Sequence, residues 1–299
     1  CHFVEEKVEE LGVHEIQIPE MHNIVEGALE KVNPIVAKSY RDYRNYKQDF
    51  VQMLDEVYKK SQSIMYIGDK ENSNTDSALV STKRSLIFNE LNKELYKKFF
   101  LTVEELQAIR EGYIYIHDMS ARRDTMNCCL FDVKSVLTGG FEMGNLWYNE
   151  PKTLDTAFDV IGDIVLSAAS QQYGGFTVPS VDEILEPYAK RSHENHLNKY
   201  RSLGLSEEVA QEIAWKDLEK EMEQGFQGWE YKFNSVSSSR GDYPFITMTS
   251  GTDISEYGKL VTKTMLEVRA GGQGKPGHKK PVLFPKIVFL YDENLHGPG

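Results

Sequence analysis

The sequence predicts an α/β protein, and the alternation of two kinds of segment carries this prediction. Between residues 112 and 291, short strand-like runs stand between longer segments whose apolar residues recur at i, i+3 and i+4. Strands that alternate with helices along a chain are typical of α/β architectures. With 299 residues, of which 40% are hydrophobic, the chain is long enough to bury a sizeable core.

The N-terminal residues 1–62 form a predicted helical head. Their apolar spacing is helical, and Pro19 and Pro34 stand where the first turns of two helices are expected. A loop rich in Gly, Asn, Asp and Ser, from Gly68 to Ser81, separates this head from the body of the chain. We therefore expect two domains, one over residues 1–62 and one over residues 63–299.

The body contains predicted helices and strands in alternation. The predicted helices cover 83–97, 102–111, the region from Leu154 to a stop at Gly174 and Gly175, 181–202, 206–224 and 255–271. The predicted strands cover 112–118 and 126–133 and lie within 243–251 and 281–291. Thr102 with Glu105 forms a capping box, and Ser180 with Glu183 is expected to cap the helix that begins at residue 181.

Charge and composition exclude several functions. A formal charge of −12 disfavours broad contact with nucleic acid or with anionic lipid. Every apolar run is well short of the roughly 20 residues that a membrane span needs, so we expect a cytoplasmic protein without a membrane anchor. Three cysteines without regular spacing argue against a disulfide framework.

Two of the three cysteines, Cys128 and Cys129, are adjacent. In a strand over 126–133, successive side chains point to opposite faces, so the two sulfurs would point apart and a disulfide between them is disfavoured. This leaves two interpretations. One cysteine does chemistry while the other packs beside Phe131 and Val133, or both are buried as small apolar side chains. On spacing alone, the second interpretation is favoured.

Other titratable residues are weaker candidates. His117 and Asp118, at the end of a predicted strand, would hold a substrate hydroxyl or phosphate, or would form a structural hydrogen bond. His193 and His196 have a possible ligand spacing, but we expect them on a solvated helix face. Without a CxxC motif or a second Cys/His cluster, no metal site is predicted.

Five segments, read together, identify a family resemblance. They are "ENSNTDSALVSTKRSLI", "IHDMSARRDTMNCCLFDVKSVLTGGFEMGN", "SAASQQYGGFTVPSVDEILEPY", "GDYPFITMTSGTD" and "KKPVLFPKIVFLYDENLHGPG". In order and spacing they resemble the N-terminal half of the anaerobic ribonucleoside-triphosphate reductases, from about Glu71 to Gly299. Residues 1 to about 48 are similar to the closing helices of the ATP-cone module that precedes many of these enzymes.

The resemblance implies a fold and a reaction. The fold is the ten-stranded α/β barrel of glycyl radical enzymes, here in part, behind a partial ATP-cone. The reaction is the reduction of ribonucleoside triphosphates to deoxyribonucleoside triphosphates, with formate as reductant and ATP or deoxynucleotides as effectors. A radical-SAM activating enzyme is the expected partner, and a homodimer is the expected assembly. The glycyl radical, the thiyl cysteine and a zinc site belong to the C-terminal half, so we expect this fragment alone to be inactive.

By resemblance, Asn127 and Cys128 match an Asn-Cys pair that faces the ribose 2′ position, where the cysteine assists loss of the hydroxyl as water. Asn127, His117 and Asp118 are then substrate-binding residues, and Cys128 is catalytic. Two alternatives remain open. One is a 2-keto-acid formate-lyase, in which adjacent cysteines are the catalytic pair, and the other is a non-catalytic nucleotide-binding regulatory fragment.

Overall fold

A parallel four-stranded sheet with helices packed on one face is the main architectural feature of the chain. The computed structural model describes residues 2–67, 78–123 and 125–297. The chain divides into two compact units, Cys1–Ser63 and Ile64–Gly299. None of the helices in the described residues is both long enough and apolar enough to cross a bilayer.

The first unit is helical, as its periodicity predicts. Its helices are α1 (His2–Leu11), α2 (Ile18–Val32) and α3 (Pro34–Ile67). An ion-pair cluster joins α2 to α3, in which the Arg41 guanidinium contacts Glu26 and Arg44 Nη1 lies 2.9 Å from a Glu26 carboxylate oxygen. The hydrogen bond from Arg41 is the largest cause of a lowered pKa for Glu26.

The second unit alternates helices with strands. Its helices are α4 (Val80–Phe100), α5 (Val103–Arg110), α6 (Val133–Leu137), α7 (Leu154–Ser170), α8 (Val181–Ser202), α9 (Glu207–Ser235), α10 (Glu256–Gly271) and α11 (Glu293–His296). Its strands are β1 (Cys129–Leu130), β2 (Phe141–Met143), β3 (Leu146–Tyr148), β4 (Phe176–Val178), β5 (Ile246–Ser250) and β6 (Lys286–Phe289). The capping box of Thr102 and Glu105 is confirmed, with both of its hydrogen bonds formed.

The sheet follows the order β1-β4-β5-β6, and every pair is parallel. Strands β2 and β3 form a separate antiparallel hairpin. Because side chains alternate between faces, one face of the sheet carries the buried residues Phe176, Val178, Ile246 and Met248. Helices α7 to α10 supply the rest of the core on that face, including Phe158, Phe226 and Trp229.

Aromatic packing ties α7 to α9. The Phe158 ring lies 4.6 Å from the Trp229 ring and 5.0 Å from the Phe226 ring, measured between centroids. Trp229 Nε1 also donates a hydrogen bond of 2.7 Å to the Phe158 carbonyl. These apolar residues extend the buried stripe of α9, which explains why the helix continues past its predicted end at residue 224 to Ser235.

The predicted strand over 112–118 is wrong. These residues run from Gly112 through a loop into a turn, and Asp118 has a φ of 52°. Tyr113 and Tyr115 are 80% and 84% exposed. Alternation alone does not make a strand, because a strand also needs a hydrogen-bonded neighbour, and the described part of the chain provides none here.

Other boundaries also differ from the prediction. The strand predicted over 126–133 is reduced to two paired residues, and the three-residue strand β4 has no counterpart among the predicted elements. Ser180 does not cap α8, because its φ of 50° turns its side chain away from the helix and towards Thr252. The predicted loop from Gly68 to Ser81 falls largely outside the described residues, and α4 begins at Val80.

The loop after β5 is held by a buried carboxylate. Asp182 is fully buried, and its Oδ2 accepts hydrogen bonds from the Gly251 amide at 2.8 Å and the Asp253 amide at 2.9 Å. A carboxylate that accepts two backbone donors replaces the water that these donors would otherwise bind. Asp182 therefore connects the start of α8 to the turn between β5 and α10.

We predict that Asp182→Ala lowers the free energy of unfolding by about 3 kcal/mol, because it leaves two buried amide donors without an acceptor. The matched control is Glu183→Ala, one residue further along the same helical turn, which should cost at most about 1 kcal/mol. Urea unfolding followed by tryptophan fluorescence measures both changes. Equal losses for the two variants would contradict this role of Asp182.

Candidate active site

The adjacent cysteines lie where β1 pairs with β4. Cys129 is opposite Phe176 in the parallel register, and its side chain packs against the core together with Phe131. Cys128 is exposed. The two side chains therefore occupy different environments, as the period-two argument predicts for adjacent strand residues. The same alternation places Cys128 and Leu130 on the sheet face that the helices leave open.

A glycine turn lies against Asn127 and Cys128. The Gly174 amide donates to the Asn127 carbonyl at 2.6 Å, and the Gly175 amide donates to Cys128 Sγ at 3.3 Å. A Cβ on Gly174 would lie 2.4 Å from Asn127 Oδ1 and 2.8 Å from Cys128 Sγ. Only glycine allows this separation, so the Gly-Gly pair is a requirement of the cysteine site.

The surroundings of Cys129 also change the pKa of its thiol. Burial is the main cause of a raised pKa for the Cys129 thiol, and the neighbouring Cys128 raises it further. Cys129 therefore remains protonated over the neutral range, and its S–H donates to Gln172 Oε1 at 2.9 Å. The Cys129 S–H is thus engaged by Gln172 while Cys128 is exposed, which leaves Cys128 as the better candidate for chemistry.

Gln172 and Arg240 are site residues that the sequence analysis missed. Gln172 is 4% exposed, and its backbone carbonyl accepts a hydrogen bond of 2.6 Å from Arg240 Nη2. The Arg240 guanidinium also lies 5.6 Å from the Tyr173 ring centroid and 3.0 Å from an Asp242 carboxylate oxygen. Gln172 belongs to the segment "SAASQQYGGFTVPSVDEILEPY", which carried the family resemblance, and Arg240 directly precedes the segment "GDYPFITMTSGTD", but no local pattern distinguishes either residue.

A small cavity of about 60 Å³ lies behind the glycine turn. Its lining includes Tyr173, Gly174, Arg240, Asp242 and Phe245. This volume is enough for one or two water molecules but not for a nucleotide. Cys128 is not among the residues that line this cavity.

His117 and Asp118 form a pair in the turn that precedes residue 119. His117 Nδ1 lies 2.5 Å from Asp118 Oδ2, and the His117 side chain is 75% exposed. Residues 112–118 form a loop, so they do not pair with residues 126–133 as a strand. The substrate-binding roles of Asn127, His117 and Asp118, and the catalytic role of Cys128, stay predictions.

The histidines of α8 are structural in this fold. His193 Nδ1 lies 2.8 Å from the Tyr257 hydroxyl, and His196 Nε2 lies 2.9 Å from Glu221 Oε2. Burial is the main cause of a lowered pKa for His193. The expectation of a solvated face is therefore wrong, and the described residues contain no cluster of three His, Cys, Asp or Glu side chains that could hold a metal ion.

Comparison with known families gives the site its context. Over residues 71–297 the sequence matches the family described as anaerobic ribonucleoside-triphosphate reductase. The chain belongs to this family. The match includes both the Asn127-Cys128 segment and the glycine turn, so the candidate site lies within the part of the chain that is shared with the reductases.

Individual reductases are similar along most of this chain. The anaerobic ribonucleoside-triphosphate reductase of Haemophilus influenzae is 32% identical over 289 residues, which cover 94% of this chain and 40% of that protein. The one from Enterobacteria phage T4 is 33% identical over 228 residues, which cover 76% of this chain and 37% of that protein. The chain thus spans about 40% of the length of the curated relatives it matches.

Solved structures of anaerobic ribonucleotide reductases are similar to a lesser degree. The enzyme from Thermotoga maritima with MES in its active site has a TM-score of 0.48 and 17% sequence identity. The matched region covers 77% of this chain and 40% of that one.

We predict that Gly174→Ala displaces the turn and lowers the free energy of unfolding by about 2 kcal/mol, because the added methyl overlaps Asn127 and Cys128. Gly228→Ala is the control, since a Cβ on this helical glycine of α9 meets no atom within 4 Å. This control should leave stability unchanged or raise it by up to about 1 kcal/mol. Thermal unfolding of both variants measures the difference, and a neutral Gly174→Ala would show that the turn is not closely packed.

Proposed function

We propose that this chain forms the N-terminal part of an enzyme that reduces ribonucleoside triphosphates to deoxyribonucleoside triphosphates without oxygen. The observation that carries the proposal is the family match across residues 71–297, together with an exposed cysteine next to an asparagine at the edge of the sheet. The adjacent Cys129 packs towards the core, so one thiol is available to a substrate and the other is not.

The sheet is proposed to be part of a ten-stranded barrel. Its spatial order β1-β4-β5-β6 follows the order of the chain, with all pairs parallel. A sheet that progresses in one direction keeps its connecting helices on one face, as barrels do, whereas doubly wound sheets reverse direction. The open face, which carries Leu130, Thr177 and Thr247 by alternation, would then line the barrel interior.

Asn127 is proposed to bind the ribose. Its Oδ1 is buried and has no hydrogen-bond partner among the described residues. A buried acceptor without a partner costs free energy, which a ribose hydroxyl donor would recover. His117 and Asp118 are proposed as further substrate contacts because a His–Asp pair can both donate to and accept from a sugar hydroxyl or a phosphate.

Cys128 is proposed to act at the 2′ face of the ribose. Loss of the 2′ hydroxyl as water requires a donor that delivers a proton to that oxygen, in a site that excludes bulk water. The Cys128 S–H provides this donor, and the Gly175 amide holds the sulfur in place. Its exposed position on the open sheet face leaves it accessible to a substrate bound there.

The remaining chemistry would come from residues outside this chain and from a co-substrate. A radical-SAM enzyme would generate the glycyl radical, which would in turn generate a thiyl radical on a cysteine. The thiyl radical would abstract the C3′ hydrogen, and formate would supply two electrons. The overall reaction converts a ribonucleoside triphosphate, formate and one proton to a deoxyribonucleoside triphosphate, carbon dioxide and water. Three cysteines are too few for a four-cysteine zinc site, so any zinc would be held elsewhere.

The helical unit Cys1–Ser63 is proposed as the closing part of an ATP-cone. Its support is the similarity of residues 1–48 to that module and the helical structure of α1 to α3. Binding of ATP or deoxynucleotide effectors, and a homodimeric assembly, are proposed on the same basis. No described contact assigns effector-binding residues.

Three observations favour a reductase over the alternatives. A formate-lyase that uses adjacent cysteines together needs both sulfurs at the substrate, whereas here Cys129 packs against the core and donates to Gln172. A purely regulatory fragment would have no need for an exposed cysteine next to an asparagine with a free acceptor. The family match also covers the site itself rather than the N-terminal helices alone.

Substitution of each cysteine in the protein expressed from its complete reading frame tests the proposed division of roles. Cys128→Ser keeps shape and hydrogen bonding but removes the weak S–H bond, so deoxynucleotide formation should stop while the glycyl radical still forms. Cys129→Ala removes a small side chain and should cost about 1 kcal/mol of stability, with turnover largely kept. Substantial reduction by Cys128→Ser, or its loss in Cys129→Ala alone, would contradict the assignment.

We also expect the 299-residue chain alone to give no glycyl radical. Anaerobic incubation with the activating enzyme and S-adenosylmethionine, followed by electron paramagnetic resonance, should show no doublet. The protein from the complete reading frame is the positive control, and circular dichroism checks that the shorter chain is folded. A doublet from the 299-residue chain would place a radical glycine among these residues and refute this expectation.

A further inference from the structure

The side chain of Gln172, which follows α7, forms three hydrogen bonds within the site. Its Nε2 donates to the carbonyls of Gly174 at 3.1 Å and Gly175 at 2.7 Å, and its Oε1 accepts from the Cys129 thiol at 2.9 Å. The side chain is almost entirely buried. All the polar atoms of this amide therefore have partners within the site.

The chemistry of these partners fixes the orientation of the amide. Two carbonyl oxygens lie on one side, so the NH₂ group must face them, because an amide oxygen there would be repelled. The Cys129 S–H lies on the other side and faces the amide oxygen. The raised pKa of the Cys129 thiol keeps this proton in place. Asparagine, which is shorter by one methylene, would not reach the same partners.

Gln172 is connected to Cys128 through the glycine turn. Its side chain binds the Gly174 and Gly175 carbonyls, and the amides of these two glycines bind the Asn127 carbonyl and the Cys128 sulfur. The Gly175 carbonyl also accepts from the Cys129 amide at 3.1 Å. Since glycine is the most flexible residue, the turn needs an external group to keep its amides aimed at Asn127 and Cys128.

Arg240 binds the backbone of Gln172. Its Nη2 donates to the Gln172 carbonyl at 2.6 Å, while the guanidinium is itself held by Asp242 and lies over Tyr173. The backbone of Gln172 is thereby fixed by a residue from the segment that precedes β5. The Gln172 side chain, which binds the Gly174 and Gly175 carbonyls, in turn holds the glycine turn in place.

We propose that Gln172 is a positioning residue for Cys128, which acts by holding the Gly175 amide against the sulfur. The proposal deepens the proposed function, because it rests on Cys128 being the reactive thiol of the pair. Cys129 takes part as the donor that orients the Gln172 amide. We expect loss of the Cys129 thiol to be tolerated, because the two contacts of Gln172 to the Gly174 and Gly175 carbonyls remain.

The test is the rate at which iodoacetamide alkylates Cys128 in the protein from the complete reading frame, under anaerobic conditions and at fixed pH. Tandem mass spectrometry separates Cys128 from Cys129 on their shared tryptic peptide. Gln172→Met keeps the length of the side chain but removes both donors, so the Gly175 amide is no longer held against the Cys128 sulfur. We expect alkylation to slow about fivefold, the effect of one lost hydrogen bond.

Gln171→Met is the matched control, because Gln171 is adjacent and exposed, and its side chain donates to the Ser170 hydroxyl rather than to the glycine turn. It should leave the alkylation rate within twofold of the wild-type rate. Gln172→Asn is the second variant, and it should slow alkylation like Gln172→Met. An unchanged rate in folded Gln172 variants would overturn the proposal. Loss of a cooperative thermal transition in both would also overturn it, because Gln172 would then serve the stability of the fold.

Steady-state kinetics separates this proposal from the proposed function. If the protein reduces ribonucleoside triphosphates, Gln172→Met should lower kcat while changing KM less than twofold, because Gln172 does not contact the open face. An equal rise in KM would make Gln172 a substrate-binding residue and contradict the positioning role. Should the wild-type protein show no reductase activity, the proposed function fails, whereas the alkylation rates still decide the role of Gln172.

Discussion

The pairing of β1 with β4 is the interaction on which the candidate site depends. Cys129 aligns with Phe176 in a parallel register, and this register determines which face of the sheet each neighbouring side chain occupies. A shift of one residue would bury Cys128 and expose Cys129. The register is held by backbone hydrogen bonds from Tyr173 to Met126 and from Gly174 to Asn127, just before the strands begin. Close approach at Gly174 makes these bonds possible.

Polar groups around this pairing are unusually buried. Gln172 satisfies its amide with backbone carbonyls and a thiol, whereas Asn127 Oδ1 stays without a partner among the described residues. The network is therefore complete at Gln172 and incomplete at Asn127, whose Oδ1 faces the glycine turn, where a Cβ on Gly174 would lie 2.4 Å from it. The helices behind the sheet supply a rigid apolar support, in which Phe176 and Ile246 are fully buried.

Local patterns predicted the helices better than the strands. The periodicity of α2, α8 and α10 lies within each segment, so their positions could be read from the sequence. Residues 112–118 alternate well but have no paired neighbour, while β4 is three residues long and is a strand only because β1 and β5 flank it. Gln172 was missed for the same reason, since its partners become visible only when the turn is folded.

In the proposed enzyme Cys128, and not Cys129, faces the ribose. A crystal structure of the protein from the complete reading frame, with a ribonucleoside triphosphate bound under anaerobic conditions, would show which cysteine does so. We expect the Cys128 sulfur within about 3.5 Å of the ribose 2′ oxygen, the separation of groups poised to react, with Cys129 still packed against Phe131 and bonded to Gln172. A ribose that contacts Cys129, or that binds away from both cysteines, would contradict it.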